Sequence, residues 1–208
     1  YTNYSFGRRL ELELQCALGS QYGVRFDLAQ VSKGAASFRR NVEGLENLLE
    51  NSVPPDVVFI EAHDFANAYL KGIETSAEVN AVFAKLQDLK ARYDSLVIFY
   101  DISFAEGSRR EAMRTTNKDT RAVLRKAKSL GYPVLEPGDW LLARLLLHSP
   151  WGNQPFADNQ HHPSTWAISE MSQTFAFLAV PYLVEHFEGR APARLRERPA
   201  ASFHKGPK

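Results

Sequence analysis

The sequence predicts an α/β domain, with a central parallel sheet and helices on both faces. Three observations carry that expectation. Two short, continuous apolar runs, Asp56-Val-Val-Phe-Ile60 and Leu96-Val-Ile-Phe-Tyr100, read as strands buried on both faces. Around them lie longer segments whose apolar residues recur at helical spacing. The two kinds of segment alternate along the chain, as parallel strands joined by crossover helices require.

In chain order, Phe6 to Leu18 carries Leu10, Leu14 and Leu18 at helical spacing, although Leu10, Leu12 and Leu14 also alternate as in a strand. Arg8, Arg9, Glu11 and Glu13 favour a helix with one wet face, and Gly19 is a plausible stop. Gly23 to Val31 then reads as a strand with Val24, Phe26 and Leu28 on one face, running into the small-residue turn around Gly34. Phe38, Val42, Leu45, Leu48 and Leu49 mark the next helix. The run ending at Ile60 leads into Glu61-Ala-His63-Asp64, polar groups where a central strand should terminate. A helix with Val79, Val82, Phe83, Leu86 and Leu89 precedes the strand that ends at Tyr100 and Asp101. Val123, Ala127 and Leu130 mark another helix, Tyr132 to Glu136 another strand, and Trp140 to Leu147 a short apolar helix. The last helix should open at Ser164 and run through Met171, Phe175, Leu178 and Tyr182, kinked at Pro181 and ended by Gly189. The pattern sums to a three-layer, flavodoxin-like sandwich over residues 1–189. Residues 190–208, rich in proline and arginine, read as a mobile tail.

Composition narrows the function. A chain of 208 residues with 44% hydrophobic content can fill one core and is expected to be one domain. Its 25 basic and 24 acidic side chains nearly cancel, so no global charge draws it to nucleic acid or an anionic membrane. The one cysteine, Cys16, excludes an internal disulfide framework and a cysteine-based zinc site, and leaves the compartment open. No apolar run approaches the roughly 20 residues of a membrane span, and no signal peptide precedes Tyr1. The run Arg109, Arg110, Arg114, Lys118, Arg121, Arg125, Lys126 and Lys128 is dense enough to attract a polyanion, but a solvated helix face accounts for it.

The chemistry concentrates in Phe156-Ala-Asp-Asn-Gln-His-His-Pro-Ser164, where Asp158 stands three residues before His161, with His162 beside it. A carboxylate beside an imidazole on one loop suits a base and its orienting partner. The acid holds the ring's tautomer and stabilises the imidazolium formed when the other nitrogen takes a proton. In parallel sheets such groups gather at the carboxyl ends of strands, and Gly34, His63 and Asp101 fall at such ends. The opening helix has no strand before it, and Tyr1 to Gly7 looks like a strand-to-helix turn cut in its middle.

Together these pieces resemble the SGNH/GDSL hydrolase family of esterases, lipases and carbohydrate deacetylases. In that family a first strand ends in Gly-Asp-Ser, the serine being the nucleophile, and Tyr1-Thr2 reads like the residues directly after it. The resemblance implies an oxyanion-hole amide at Gly34. It also sets His63 where the family's Gly-x-Asn-Asp has its oxyanion-binding asparagine, in the sequence Glu61-Ala-His63-Asp64. The family's C-terminal Asp-x-x-His is matched by Asp158 and His161, whereas adjacency to Pro163 selects His162 as the base. The implied activity is serine-dependent hydrolysis of a short acyl ester, such as an acetyl group on a carbohydrate or small molecule, with no cofactor. Transfer of the acyl group to a sugar hydroxyl is the alternative on the same fold.

Other readings stand beside it. Ser5 is the nucleophile if nothing precedes Tyr1. Gly34 also fits an ordinary turn glycine, His63 a core histidine, and Asp64 a helix cap. Trp151, Phe156 and Trp166 fit either a substrate pocket or packing under a loop. The exchange at His63 would suit a non-catalytic glycan- or protein-binding domain. His63, Asp158, His161 and His162 are also metal-ligating types, but adjacent histidines on a short loop rarely reach one ion without strain.

Overall fold

Leu96–Tyr100 forms the middle of a parallel sheet in a computed structural model that describes residues 6–29, 42–47, 55–62, 76–101, 118–136 and 165–189. Among these residues the sheet has the order β1 (Val57–Glu61), β2 (Leu96–Tyr100), β3 (Val134–Leu135). Val57 stands opposite Leu96 and Glu61 opposite Tyr100, while Tyr100 stands opposite Leu135. The helices are α1 (Phe6–Leu14), α2 (Ser76–Tyr93), α3 (Lys118–Ser129) and α4 (Thr165–Glu188), with a helical run over 42–47.

Two apolar clusters divide the buried side chains. Side chains on a strand point alternately to opposite faces, so a strand apolar at every position feeds both. Val97 and Phe99 join Val82, Phe83, Leu86, Val123 and Leu124 in one cluster. Ile98 joins Leu10, Leu14, Met171, Phe175 and Leu183 in the other. β2 thus meets the expectation of burial on both sides. β1 meets it only at Ile60, its other residues being half-buried, because among the described residues it has a strand neighbour on one side only.

The stripe Val82, Phe83, Leu86 and Leu89 seats α2, with the Phe83 ring stacked on Phe99 at 5.5 Å. At the end of α3 the Tyr132 amide donates to the Ala127 carbonyl and the Gly131 amide to that of Lys128, both at 3.0 Å. This paired cap needs a left-handed residue, supplied by Gly131 at φ 76°. It also explains why β3 is shorter than the Tyr132–Glu136 expected. The Tyr132 amide is spent on the cap and Pro133 has none, although the Pro133 carbonyl still accepts from Phe99 at 2.9 Å.

The first helix differs from expectation at its end. Leu10, Leu14 and Leu18 are buried and Leu12 is 41% exposed, which settles helix over strand. Gly19 does not stop it. The chain continues through a π turn, Gln15–Gly19, and a last turn, Ser20–Tyr22, to Gly23 at φ 62°. Gly19 serves close approach instead: a Cβ there would collide with the Gln15 carboxamide. That carboxamide donates to the Val24 carbonyl at 3.2 Å and accepts from the Phe26 amide at 2.9 Å. One turn earlier, Glu11 accepts from the Leu28 amide at 3.3 Å.

Residues 24–29 alternate as expected, with Val24, Phe26 and Leu28 half-buried and Arg25, Asp27 and Ala29 exposed, yet they form no ladder among the described residues. Helix side chains take the place of a neighbouring strand. Four helical residues rise about 6 Å, close to two residues of extended chain, so Gln15 and Glu11 match Phe26 and Leu28.

α4 opens at Thr165 and its last turn closes with Gly189 donating to the Glu185 carbonyl at 2.9 Å. It is unbroken through Pro181, which lies on the exposed side beside Phe177. Of the helix marked by Phe38, Val42, Leu45, Leu48 and Leu49, residues 42–47 are helical with Val42 and Leu45 buried, while its ends, the helix over Trp140 to Leu147 and the tail lie outside the described residues. On α3, Arg125 and Lys128 are exposed, as a solvated face requires, and Lys128 pairs with Glu136.

Gly19→Ala should push the Gln15 carboxamide from both its partners and cost about 1–3 kcal/mol in urea unfolding. Gln15→Ala should cost a similar amount. The double variant should fall well short of the sum, since both changes break the same two bonds.

Candidate functional site

The register sets the strand ends level, and the chain leaves β1 and β2 at one edge. There the Ala62 amide donates to the Tyr100 carbonyl at 2.9 Å and the Asp101 amide to the Leu135 carbonyl at 3.2 Å. Strand parity puts Val57, Phe59 and Glu61, and likewise Leu96, Ile98 and Tyr100, on the face covered by α1 and α4. Glu61 is half-buried at this edge. Burial, and then the neighbouring Asp101 charge, pushes its carboxyl from 4.5 up to about 7. Burial, with Glu61 adding to it, pushes the Tyr100 phenol well above 10.

Two rings close over Tyr100. Phe6, the first residue of α1, stacks on it at 5.7 Å with planes 27° apart. Phe175 of α4 meets Tyr100 at 5.4 Å and Phe6 at 5.7 Å, both edge-on. The Ser172 hydroxyl, which donates to the Ile168 carbonyl at 2.8 Å, also lies 3.3 Å from that of Phe6.

At the far end of these helices the Tyr22 hydroxyl donates to Glu188 at 3.1 Å. α1 and α4 therefore run side by side in one direction, opposite to the strands, and both begin toward the carboxyl edge. Residues 24–29 run back along α1, from the level of Gln15 to that of Glu11, and so toward the same edge. An open groove of about 370 Å³ between Gly131, Pro133, Val134 and Tyr182 lies at the opposite edge, away from Glu61 and Asp101.

Ser5, Gly34, His63, Asp64, Trp151, Phe156, Asp158, His161 and His162 lie outside the described residues. The points where their segments join the described chain do not. Ser5 adjoins Phe6, His63 follows Ala62, the segment with Gly34 follows Ala29, and the Asp158–His162 loop leads into Thr165. Trp166 is half-buried and packs against the α1/α4 cluster. Among the described residues no group of three or more His, Cys, Asp or Glu side chains could hold a metal ion, and no helix is long and apolar enough to cross a membrane.

In the sequence Glu61 reads as a polar stop on an apolar run, although a carboxylate in that place is itself the signal for a perturbed acid. The ring cluster leaves no sequence signal, because its members come from three elements remote in sequence.

This is the fold of the SGNH hydrolases, and the resemblance drawn from the sequence holds at the level of the fold. Two solved structures similar to it are carbohydrate esterases. One is a family 3 carbohydrate esterase of Clostridium thermocellum, 14% identical, with 85% of this chain and 86% of that one covered at a TM-score of 0.54. Another is a catalytic mutant of Axe2, an acetylxylan esterase from Geobacillus stearothermophilus, 19% identical over 83% of this chain and 80% of that one, also at 0.54. No protein-family model matches the sequence, and no curated protein matches it.

Glu61 gives a pH signature. Between pH 4.5 and about 7 the folded state holds a proton that the unfolded state has released, so stability falls as pH rises through that window. Glu61→Gln removes this component. Its stability relative to the parent should climb across the window and stay level on either side, read by urea unfolding at a series of pH values.

Proposed function

We propose that the chain is a serine-dependent ester hydrolase that releases short acyl groups, such as acetyl, from a carbohydrate or small ester. The observation that carries this reading is the convergence of attachment points. The chain enters α1 and α4 and leaves β1, β2 and residues 24–29 toward one edge of the sheet, so every segment bearing a candidate group joins there. The fold shared with carbohydrate esterases gives independent support. The clusters fed by alternate residues of β2 support a three-layer, flavodoxin-like sandwich as the frame.

In the proposed mechanism a serine in the turn leading into α1 attacks the ester carbonyl. His161 or His162 takes its proton, and Asp158 orients that imidazole. The Gly34 amide and a His63 donor hold the tetrahedral oxyanion, and the base returns the proton to the leaving alcohol. Water then hydrolyses the acyl-enzyme by the same route. No step calls for a cofactor. Ser5 is the serine that the sequence holds in that segment.

Fluorophosphonate labelling followed by peptide mapping tests the reading: one serine adduct, in the segment leading into Phe6, is expected. Asp158→Asn and replacement of the true base by alanine should each abolish labelling, while alanine at the other histidine leaves it. His63→Ala should lower kcat on the order of 10²–10³-fold for a chromogenic acetate ester. Activity should survive a chelator. A folded protein that takes no adduct would instead favour a glycan- or protein-binding domain, the reading that His63 in place of asparagine supports.

A further inference from the structure

We propose that the outer face of the α1/α4 layer is an interface between two copies of this chain, joined about a two-fold axis with their α4 helices antiparallel. The inference is independent of the esterase reading.

It starts from the make-up of α4. A surface helix keeps one apolar stripe for the core and a polar, charged face for water. α4 carries no charged residue between Glu170 and Glu185, whereas charges recur throughout α2 and α3. Its buried stripe includes Met171, Phe175, Ala179 and Leu183. On the far side a second apolar stripe recurs at three- and four-residue spacing: Phe177, Val180, Pro181 and Val184. Phe177 is 71% exposed, Pro181 is exposed, and the two valines are half-buried. The other large apolar side chain left exposed among the described residues, Leu12 at 41%, stands on α1 of the same layer. An apolar face shared by two neighbouring helices marks a contact surface.

The occupant follows from how this face matches itself. A two-fold pair makes every contact twice, with the same patch on both sides. If the axis crosses α4 between Val180 and Pro181, antiparallel helices set Phe177 against Val184 of the second copy. Gln173 then meets Glu188, a carboxamide donor against a carboxylate. A parallel pairing would instead set the two acidic ends, Glu185 and Glu188, against each other. α1 supplies the opposite charge. Phe6 lies beside Ser172 and Phe175, and Tyr22 beside Phe187 and Glu188. Arg9, and Arg8 with its partner Glu11, therefore stand about level with residues 174 and 175. In the antiparallel pair that level falls beside Glu185 and Glu188 of the second copy, so basic meets acidic at both ends. Leu12 falls level with the exposed, small Cys16 and Ala17.

The face is also large enough. α4, 24 residues long, spans about 36 Å. Two helices side by side are about 20 Å across. Covering such a face removes ~700 Å² from each copy, ~1,400 Å² in all, which lies within the range of stable specific interfaces.

Sedimentation equilibrium on the full chain, from about 1 µM to about 100 µM, tests the proposal. The parent should approach twice the mass of one chain. Phe177→Glu should weaken association on the order of 100-fold, and Val184→Lys likewise. Mixing the two variant chains should restore a dimer, because one contact then joins a carboxylate to an ammonium while the other keeps Phe177 against Val184. Arg125→Glu, on the exposed side of α3, should associate as the parent does. Circular dichroism and urea unfolding check folding, and if either variant fails to fold, Leu12→Glu carries the same loss of association. A dimer that survives Phe177→Glu, or variant chains that do not complement each other, would overturn the proposed pairing. So would a parent that stays monomeric throughout: if Phe177→Glu then destabilises the monomer, another segment of the same chain covers the face, and if it does not, the face is left to a different partner.

Discussion

The double burial of β2 is the constraint from which the rest of the described structure follows. An extended strand with no polar face cannot lie on a surface; it must be covered from both sides. Val97 and Phe99 draw α2 and α3 together with the helical run over 42–47, while Ile98 draws α1 and α4. Near 25 cal/mol per Å² of buried apolar surface, each large side chain sunk on either side contributes about 1.5–3 kcal/mol. Covering both faces also fixes polarity. Helices that return the chain between parallel strands run opposite to them, so helix starts and strand ends meet at one edge.

That edge is where the energetics become less favourable and the chemistry more interesting. Glu61 has the same facing as Val57 and Phe59, so strand parity commits it to the apolar side even though it is charged when exposed to water. Desolvation penalises its anionic form, and the Asp101 charge on the neighbouring strand end adds to the penalty. The arrangement costs stability at neutral pH, at the end of a sheet where ligands usually bind in this class of fold. The rings of Phe6, Tyr100 and Phe175 meet beside it, Tyr100 standing opposite Glu61 in the sheet.

Much of this was legible from residue patterns. The boundaries of β2 follow from its apolar run, and Val82, Phe83, Leu86 and Leu89 named the buried face of α2. The spacing of Leu10, Leu14 and Leu18 chose the buried face of α1. Ends were less legible than faces, because they depend on bonds made elsewhere. Gly19 reads as a stop but serves the close approach of Gln15, and the run from Tyr132 loses its first residues as strand to the cap on α3. Of the candidate site, the sequence names the groups at Asp158, His161, His162, Gly34 and His63, and the described structure supplies the edge toward which their segments lead.

Local sequence determined what each stretch of chain is and which side of it avoids water, because periodicity and turn chemistry act over a few residues. Only the tertiary structure decided which stretches meet. The alternation of residues 24–29 is plain in the sequence, but that α1 side chains rather than a strand take their amides depends on a helix folded back beside them. The meeting of Phe6, Tyr100 and Phe175, and the raised carboxyl of Glu61, likewise arise from contacts between segments far apart in the chain. Packing of that kind leaves no periodic trace in any one of them.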